Sequence, residues 1–132
     1  MSYRRTKRDR VLVVDDDSSL AEMLTIVLES EGLTAAVCRS GDRVMAAFTQ
    51  FRPDVVLLDL MLPGLDGMSV CRQIREKSAV PIIMLTAKSD TPDVVAGLEA
   101  GADDYIPKPV NSGDLLFALA PWLPSPQVLV AP

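Results

Sequence analysis

The chain has 132 residues, 48% of them hydrophobic and 23% charged, which allows one packed core, is short for two, and is not the composition of a disordered chain. A formal net charge of -5 argues against a broad nucleic-acid-binding face, because such a face must neutralise phosphates, so any DNA contact is expected elsewhere. Two cysteines without framework spacing and no histidine leave no basis for a Cys/His metal cluster and favour a reduced, intracellular setting.

The basic start, Arg4, Arg5, Lys7, Arg8 and Arg10, reads as a solvated leader rather than a patch for an anionic ligand. The apolar run Val11-Leu12-Val13-Val14 stops at Asp15-Asp16-Asp17, too short for a signal peptide or a membrane span. A cytoplasmic, soluble protein without membrane contact is therefore expected. The same β-branched run reads as a strand buried on both faces, with the acids emerging at its carboxyl end. Leu20, Met23, Leu24, Val27 and Leu28 then recur at helical spacing, with Asp17 or Ser18 as the cap and Gly32 as the stop.

Leu33 to Cys38 is a weaker strand, and Ser40 is placed to cap a helix carrying Val44, Ala47 and Phe48. After Pro53, Val55-Val56-Leu57-Leu58 runs directly into Asp59 and repeats the first arrangement of buried segment, then carboxylate. A loop from Leu62 to Gly67 leads to a helix with Met68, Cys71, Ile74 and Arg75, and Pro81 precedes a strand, Ile82 to Leu85, that ends at Thr86-Ala87-Lys88. Asp90 or Thr91 starts a fourth helix with Val94, Val95 and Leu98, ending near Gly101. Asp104 to Ile106 forms a short fifth strand closing at Lys108-Pro109. Ser112 to Leu119 is a last helix cut off by Pro121. Residues 10–120 thus read as one domain and residues 121–132 as a linker or tail.

Five strands alternating with five helices predict an α/β flavodoxin-like doubly wound sandwich, with a five-stranded parallel sheet in the order 2-1-3-4-5 and its binding crevice beyond the strand carboxyl ends. Asp15, Asp16 and Asp59 end two different strands and converge there. Such a cluster is costly unless protonated or bound to a cation. An all-oxygen set suits magnesium, and calcium is less natural because no D-x-[DN]-x-[DN]-G loop is present. The blander reading, acids that cap the next helix and solubilise the surface, holds equal weight for Asp17 but little for Asp15 and Asp16 taken with Asp59. Thr86 and Lys108 bring a hydroxyl and an ammonium to two further strand ends, both suited to a phosphoryl group. Ala87 leaves space beside them, or simply makes a tight turn. Gly64 and Gly67 suit turns in the loop after Asp59.

The ordered set V-V-D-D-D, L-L-D-L-M-L-P-G, M-L-T-A-K and G-A-D-D-Y-I-P-K-P resembles the receiver domains of two-component response regulators, especially those joined to winged-helix DNA-binding domains, over roughly Arg10 to Leu119. The resemblance implies that Asp59 accepts a phosphoryl group from the phosphohistidine of a sensor histidine kinase. It implies that Asp15, Asp16, Asp59 and the Met61 carbonyl hold Mg2+, Asp16 directly and Asp15 through water. It further implies that Lys108 contacts the phosphoryl group, that Thr86 turns inward towards it, that Tyr105 changes exposure with that movement, and that the Lys108–Pro109 bond is cis. The domain is then a regulatory phosphoacceptor rather than an enzyme, controlling transcription through an output domain beyond residue 132 and forming a homodimer on activation. A stand-alone receiver or pseudo-receiver acting through protein contact is the alternative. A metal-dependent phosphohydrolase lacks a second catalytic acid beside Asp59 and a substrate cap.

Three departures from the family pattern stand out. Pro107 precedes Lys108-Pro109, Val110 replaces the usual Phe, and the last helix carries no basic residue, with Ala118 where an arginine is usual. Family dimers pair through salt bridges on this side of the domain. Asp103 and Asp104 are expected to be available for them, without a basic partner on the last helix.

Overall fold

The computed structural model describes residues 9–87 and 91–123. Strands β1 (Arg10–Val14), β2 (Thr34–Cys38), β3 (Val55–Asp59), β4 (Ile82–Ala87) and β5 (Asp104–Lys108) alternate with helices α1 (Ser18–Ser30), α2 (Val44–Phe51), α3 (Gly67–Lys77), α4 (Thr91–Ala100) and α5 (Ser112–Leu119). All strand pairs are parallel and the order is β2-β1-β3-β4-β5, the flavodoxin-like topology that the alternation predicts.

Side chains of a strand point alternately to opposite faces, so the continuous apolar runs of β1, β3 and β4 feed two cores. Val11, Val13, Val55, Leu57, Ile83 and Leu85 pack with Leu24 and Leu28 of α1 and Leu115 and Leu119 of α5. Leu12, Val14, Val56, Leu58, Ile82 and Met84 pack on the other face with Val44 of α2 and Val70, Cys71 and Ile74 of α3. The helices start on short polar caps. Asp17 accepts from the Leu20 amide, Asp66 from Ser69 and Asn111 from Asp114. The Ser69 amide also holds the Asp66 carboxyl below its ordinary range. Ser40 differs from expectation: its hydroxyl donates to Asp42 Oδ1 at 2.7 Å, and a 3-10 turn, Gly41–Arg43, intervenes before α2.

Both ends of the domain make contacts that the sequence does not reveal. Arg10 is not part of a solvated leader: its amide donates to Asp54 Oδ2 at 2.9 Å, its Nε to the Phe51 carbonyl at 3.1 Å, and its guanidinium lies over the Phe51 ring. Arg4, Arg5, Lys7 and Arg8 lie outside the described residues. At the other end Ala120–Trp122 forms a 3-10 turn, and Trp122 and Leu123 pack partly buried against the α1 and α5 side of the core. The first residues of the expected tail therefore belong to the packed domain, because an indole and a leucine so close to α5 find apolar cover there. Residues 124–132 lie outside the described ones.

Asp103 is not available to a partner as the sequence suggested. Its Oδ2 accepts from Arg75 Nη2 at 2.9 Å and from the Ile82 amide at 2.9 Å. Arg75 also donates to the Gly101 carbonyl through Nε and Nη2, at 3.0 and 2.7 Å, and through Nη1 to the carbonyls of Ser78 and Val80, at 3.0 and 2.7 Å. One guanidinium thus joins the end of α3, the entry to β4 and the turn before β5. Replacing it removes this donor from the carbonyls of Ser78, Val80 and Gly101 and leaves Asp103 with the Ile82 amide but without its counter-charge. We expect Arg75→Met, which keeps an apolar stem, to lower unfolding free energy by about 2 to 4 kcal/mol in urea denaturation.

Candidate functional site

Strand register assembles the site. Val14 pairs with Leu58, so Asp15 and Asp59 leave adjacent strands side by side. Asp59 pairs with Leu85, immediately before Thr86, and Ala87 pairs with Lys108. Four strand ends therefore deliver carboxylates, a hydroxyl and an ammonium to one edge of the sheet.

Asp15 is fully buried. Its Oδ1 accepts from the Asp17 amide at 2.9 Å, and its own amide donates to the Cys38 carbonyl at 3.0 Å, anchoring it to β2. Asp59 is also buried, with Oδ1 accepting from the Met61 amide at 3.0 Å and Oδ2 from Lys108 Nζ at 3.1 Å. Lys108 Nζ stands 3.6 Å from Asp15 Oδ2, an ion-pair distance rather than a hydrogen bond, and that oxygen has no hydrogen-bond partner. Asp16 faces solvent, and one carboxylate oxygen from each of Asp15, Asp16 and Asp59 lies within 4.8 Å of the others. Three carboxylates gathered this closely, with a buried Asp15 oxygen that lacks a hydrogen-bond donor, fit a hard divalent cation.

The remaining predicted residues take different places. Thr86 is buried at the end of β4, while Ala87 is exposed beside it. The Lys108–Pro109 peptide is cis. Met61 contributes its amide to Asp59, and its side chain is largely exposed. Tyr105 sits within β5 opposite Met84, with 40% of its surface exposed. A cleft of about 500 Å³ beside Lys108 is lined by Asp17, Leu20, Ala87, Lys108, Pro109 and Val110. Leu20 and Val110 were legible in the sequence only as a core residue and a missing aromatic. Their place at the site depends on α1 and the β5–α5 turn meeting over the strand ends.

Burial, the like charge of Asp59 and a contact with it push the Asp15 carboxyl up to about 6, against the opposing pull of the Asp17 amide and of Lys108. Burial alone would lower the Lys108 ammonium, but its bond to Asp59 and the charges of Asp59 and Asp15 outweigh that and raise it. The lysine therefore stays charged at neutral pH. Without a cation, folded Asp15 keeps a proton between about pH 4 and 6 that the unfolded chain has released, so stability falls as pH rises through that window and levels off above it. We expect Asp15→Asn to remove this decline, making the metal-free protein more stable than the wild type at pH 7.5 by about 1 to 3 kcal/mol. Urea titrations at pH 4.5 and 7.5 in the presence of a chelator measure the difference.

Comparison with known proteins agrees with this geometry. Residues 11–120 match the response regulator receiver domain model. The chain is 61% identical over 111 residues to the DNA-binding response regulator MtrA of Mycobacterium tuberculosis, covering 84% of this chain and 49% of that protein. It is 47% identical over 110 residues to the transcriptional regulatory protein CseB of Streptomyces avermitilis, covering 83% of this chain and 47% of that one. The chain thus spans about half the length of these curated relatives. Among solved structures, the BeF3-activated N-terminal receiver domain of Klebsiella pneumoniae RstA superposes with a TM-score of 0.82 at 34% identity, covering 86% of this chain and 97% of that one. A putative response regulator from Chloroflexus aurantiacus superposes at 0.83 with 36% identity, covering 87% and 97%. With its parallel sheet, its acidic strand ends and its lysine on β5, the chain belongs to the response regulator receiver domain family.

Proposed function

We propose that this domain takes a phosphoryl group from the phosphohistidine of a partner sensor histidine kinase onto Asp59, and that the resulting change controls transcription through an output domain. The observation that carries the reading is the placement of Lys108 Nζ 3.1 Å from Asp59 Oδ2, beside three converging carboxylates. In the transfer the partner's P–N bond breaks and a P–O bond forms to an Asp59 carboxylate oxygen, giving an acyl phosphate. Lys108 supplies positive charge to the transferred oxygens, and Thr86 supplies a hydroxyl for them to accept from. Asp15, Asp16, Asp59 and the Met61 carbonyl would hold Mg2+. That ion supplies further charge stabilisation in the transfer.

The cleft over Leu20, Ala87, Pro109 and Val110 supports approach of a donor side chain from outside the sheet edge. The domain is then a regulatory phosphoacceptor taking part in its own phosphorylation and dephosphorylation, not an enzyme with separate substrates. No described helix is long and apolar enough to cross a membrane, which fits the reading of a cytoplasmic signalling protein. Transcriptional control is supported by the relatives, which are named as DNA-binding or transcriptional regulators and extend well beyond the matched segment.

On activation we propose a homodimer weaker than, or arranged differently from, the salt-bridged family pattern. Asp103 is held by Arg75, Ala118 is buried, and Phe117 is the exposed aromatic of α5, with 83% of its surface open.

Incubation with a small acyl phosphate and magnesium is expected to add one phosphoryl group by intact mass and none to Asp59→Asn. Equal modification of the two proteins would overturn the assignment. Asp16→Ala is expected to weaken magnesium binding about tenfold or more in calorimetric titration. Sedimentation of the beryllofluoride-treated protein over a concentration series tests the dimer. A tight dimer whose structure shows salt-bridged pairing through the α4, β5 and α5 faces would refute that part of the reading.

A further inference from the structure

The loop that follows Asp59 lies against glycines at two points, one of them on a different element. The segment from Leu60 to Asp66 connects β3 to α3, and its Met61 amide donates to Asp59 Oδ1. Further along, the Pro63 carbonyl accepts from the Gly41 amide at 3.0 Å, Gly41 being the buried first residue of the 3-10 turn after β2. A Cβ on Gly41 would stand 1.8 Å from the Leu65 carbonyl oxygen, 2.7 Å from its carbon and 2.9 Å from its nitrogen. These are backbone atoms, so no side-chain rotation relieves the overlap, and one backbone or the other must move. The need at Gly41 is space, since its backbone is not among the positive-φ positions.

The other end of the loop is also in close approach. A Cβ on Gly67 would lie 2.5 Å from Leu60 Cα and 2.9 Å from the Asp59 carbonyl oxygen, and the Gly67 amide donates to the Leu60 carbonyl at 3.2 Å. Between the two points Gly64 adopts a φ of 83° with Asp42 beside it. The loop is thus closed on itself at Gly67 and seated against the β2–α2 turn at Gly41. Leu65 is joined through Gly64, Pro63 and Leu62 to Met61, whose amide donates to Asp59, so a displacement at Leu65 is passed along a short segment to the acceptor residue.

We propose that Gly41 is a positioning residue for the acceptor site: it seats the β3–α3 loop so that the Met61 backbone is held against Asp59, although Gly41 itself carries no group that could bind a cation or a phosphoryl oxygen through a side chain. This rests on the reading of Asp59, Asp15, Asp16 and Met61 as the phosphoryl and cation site. A side chain at residue 41 shifts the loop and loosens both the Met61 amide and the Met61 carbonyl.

The test compares Gly41→Ala with Gly97→Ala in the full chain. Gly97 is also overpacked by a Cβ, but against the flexible side chain of Met84 in the core beneath α4 rather than against the backbone of the loop. Gly41→Ala is expected to speed hydrogen exchange of the Met61 amide in the metal-free protein and to weaken magnesium affinity about tenfold, the loss typical of displaced supporting groups around a metal site. Gly97→Ala is expected to lower the melting temperature without either change. If Gly41→Ala fails to fold by circular dichroism, Gly64→Ala, which strains the same loop through its positive φ, carries the same two measurements. A folded Gly41→Ala with wild-type Met61 exchange and wild-type magnesium affinity would overturn the inference. So would matching losses in Gly97→Ala, or a wild-type response of Gly64→Ala where it stands in. Failure of the wild type to bind magnesium or to accept phosphoryl on Asp59 would instead overturn the functional reading, and the Met61 exchange comparison would remain readable without it.

Discussion

Parallel pairing of β1, β3, β4 and β5 is the constraint on which the rest of the molecule depends. Four strands running the same way, in the register Val14 to Leu58, Asp59 to Leu85 and Ala87 to Lys108, must end at the same edge. Whatever follows their last apolar residues is forced together, and here that is two buried carboxylates, a buried hydroxyl and an ammonium. An antiparallel neighbour would have carried its polar end to the opposite edge. The buried apolar faces that permit parallel pairing also hold the charges still, because both cores pack on the strands that bear them.

The convergence is costly, and the cost is unevenly relieved. Lys108 bonds directly to Asp59 and only approaches Asp15, whose Oδ2 remains without a hydrogen-bond donor and whose carboxyl is pushed up accordingly. The site is therefore short of positive charge in a manner that a divalent cation or a proton remedies. Lys108 is also the last residue of β5, the edge strand that carries Tyr105. The Lys108–Asp59 bond thus ties the end of β3 to the end of this edge strand.

The outer features beyond β4 are less like the family pattern. Arg75 gathers Asp103 and three carbonyls into one structural knot, Ala118 turns into the core with Leu115 and Leu119, and Pro121 ends the last helix so that Trp122 and Leu123 fold back on the apolar layer. The Asp103 charge is spent within the domain, and α5 presents an exposed phenyl at Phe117.

Much of this is legible in the amino-acid sequence. Unbroken apolar runs ending in acids, separated by helical periodicity, specify buried parallel strands, and their order specifies which acids meet. Val11 to Val14 with Asp15, Val55 to Leu58 with Asp59, and Ser112 to Leu119 needed no tertiary information, since local propensity and hydrophobic period agree there. Other facts depend on which segments become neighbours, and a one-dimensional pattern carries no such distances. Asp103 looked free because its partner, Arg75, lies 28 residues away. Arg10 looked like leader until Phe51 and Asp54 came beside it, and residues 121–123 looked like tail until a core formed for Trp122 to cover. The sequence by itself determined the fold and the chemical inventory of the site, because these follow from period and residue type. Only the tertiary structure decided which charges are already paired, which carboxylate oxygen is left wanting, and where Gly41 must lack a side chain, because each of these is a distance between residues that the chain alone keeps far apart.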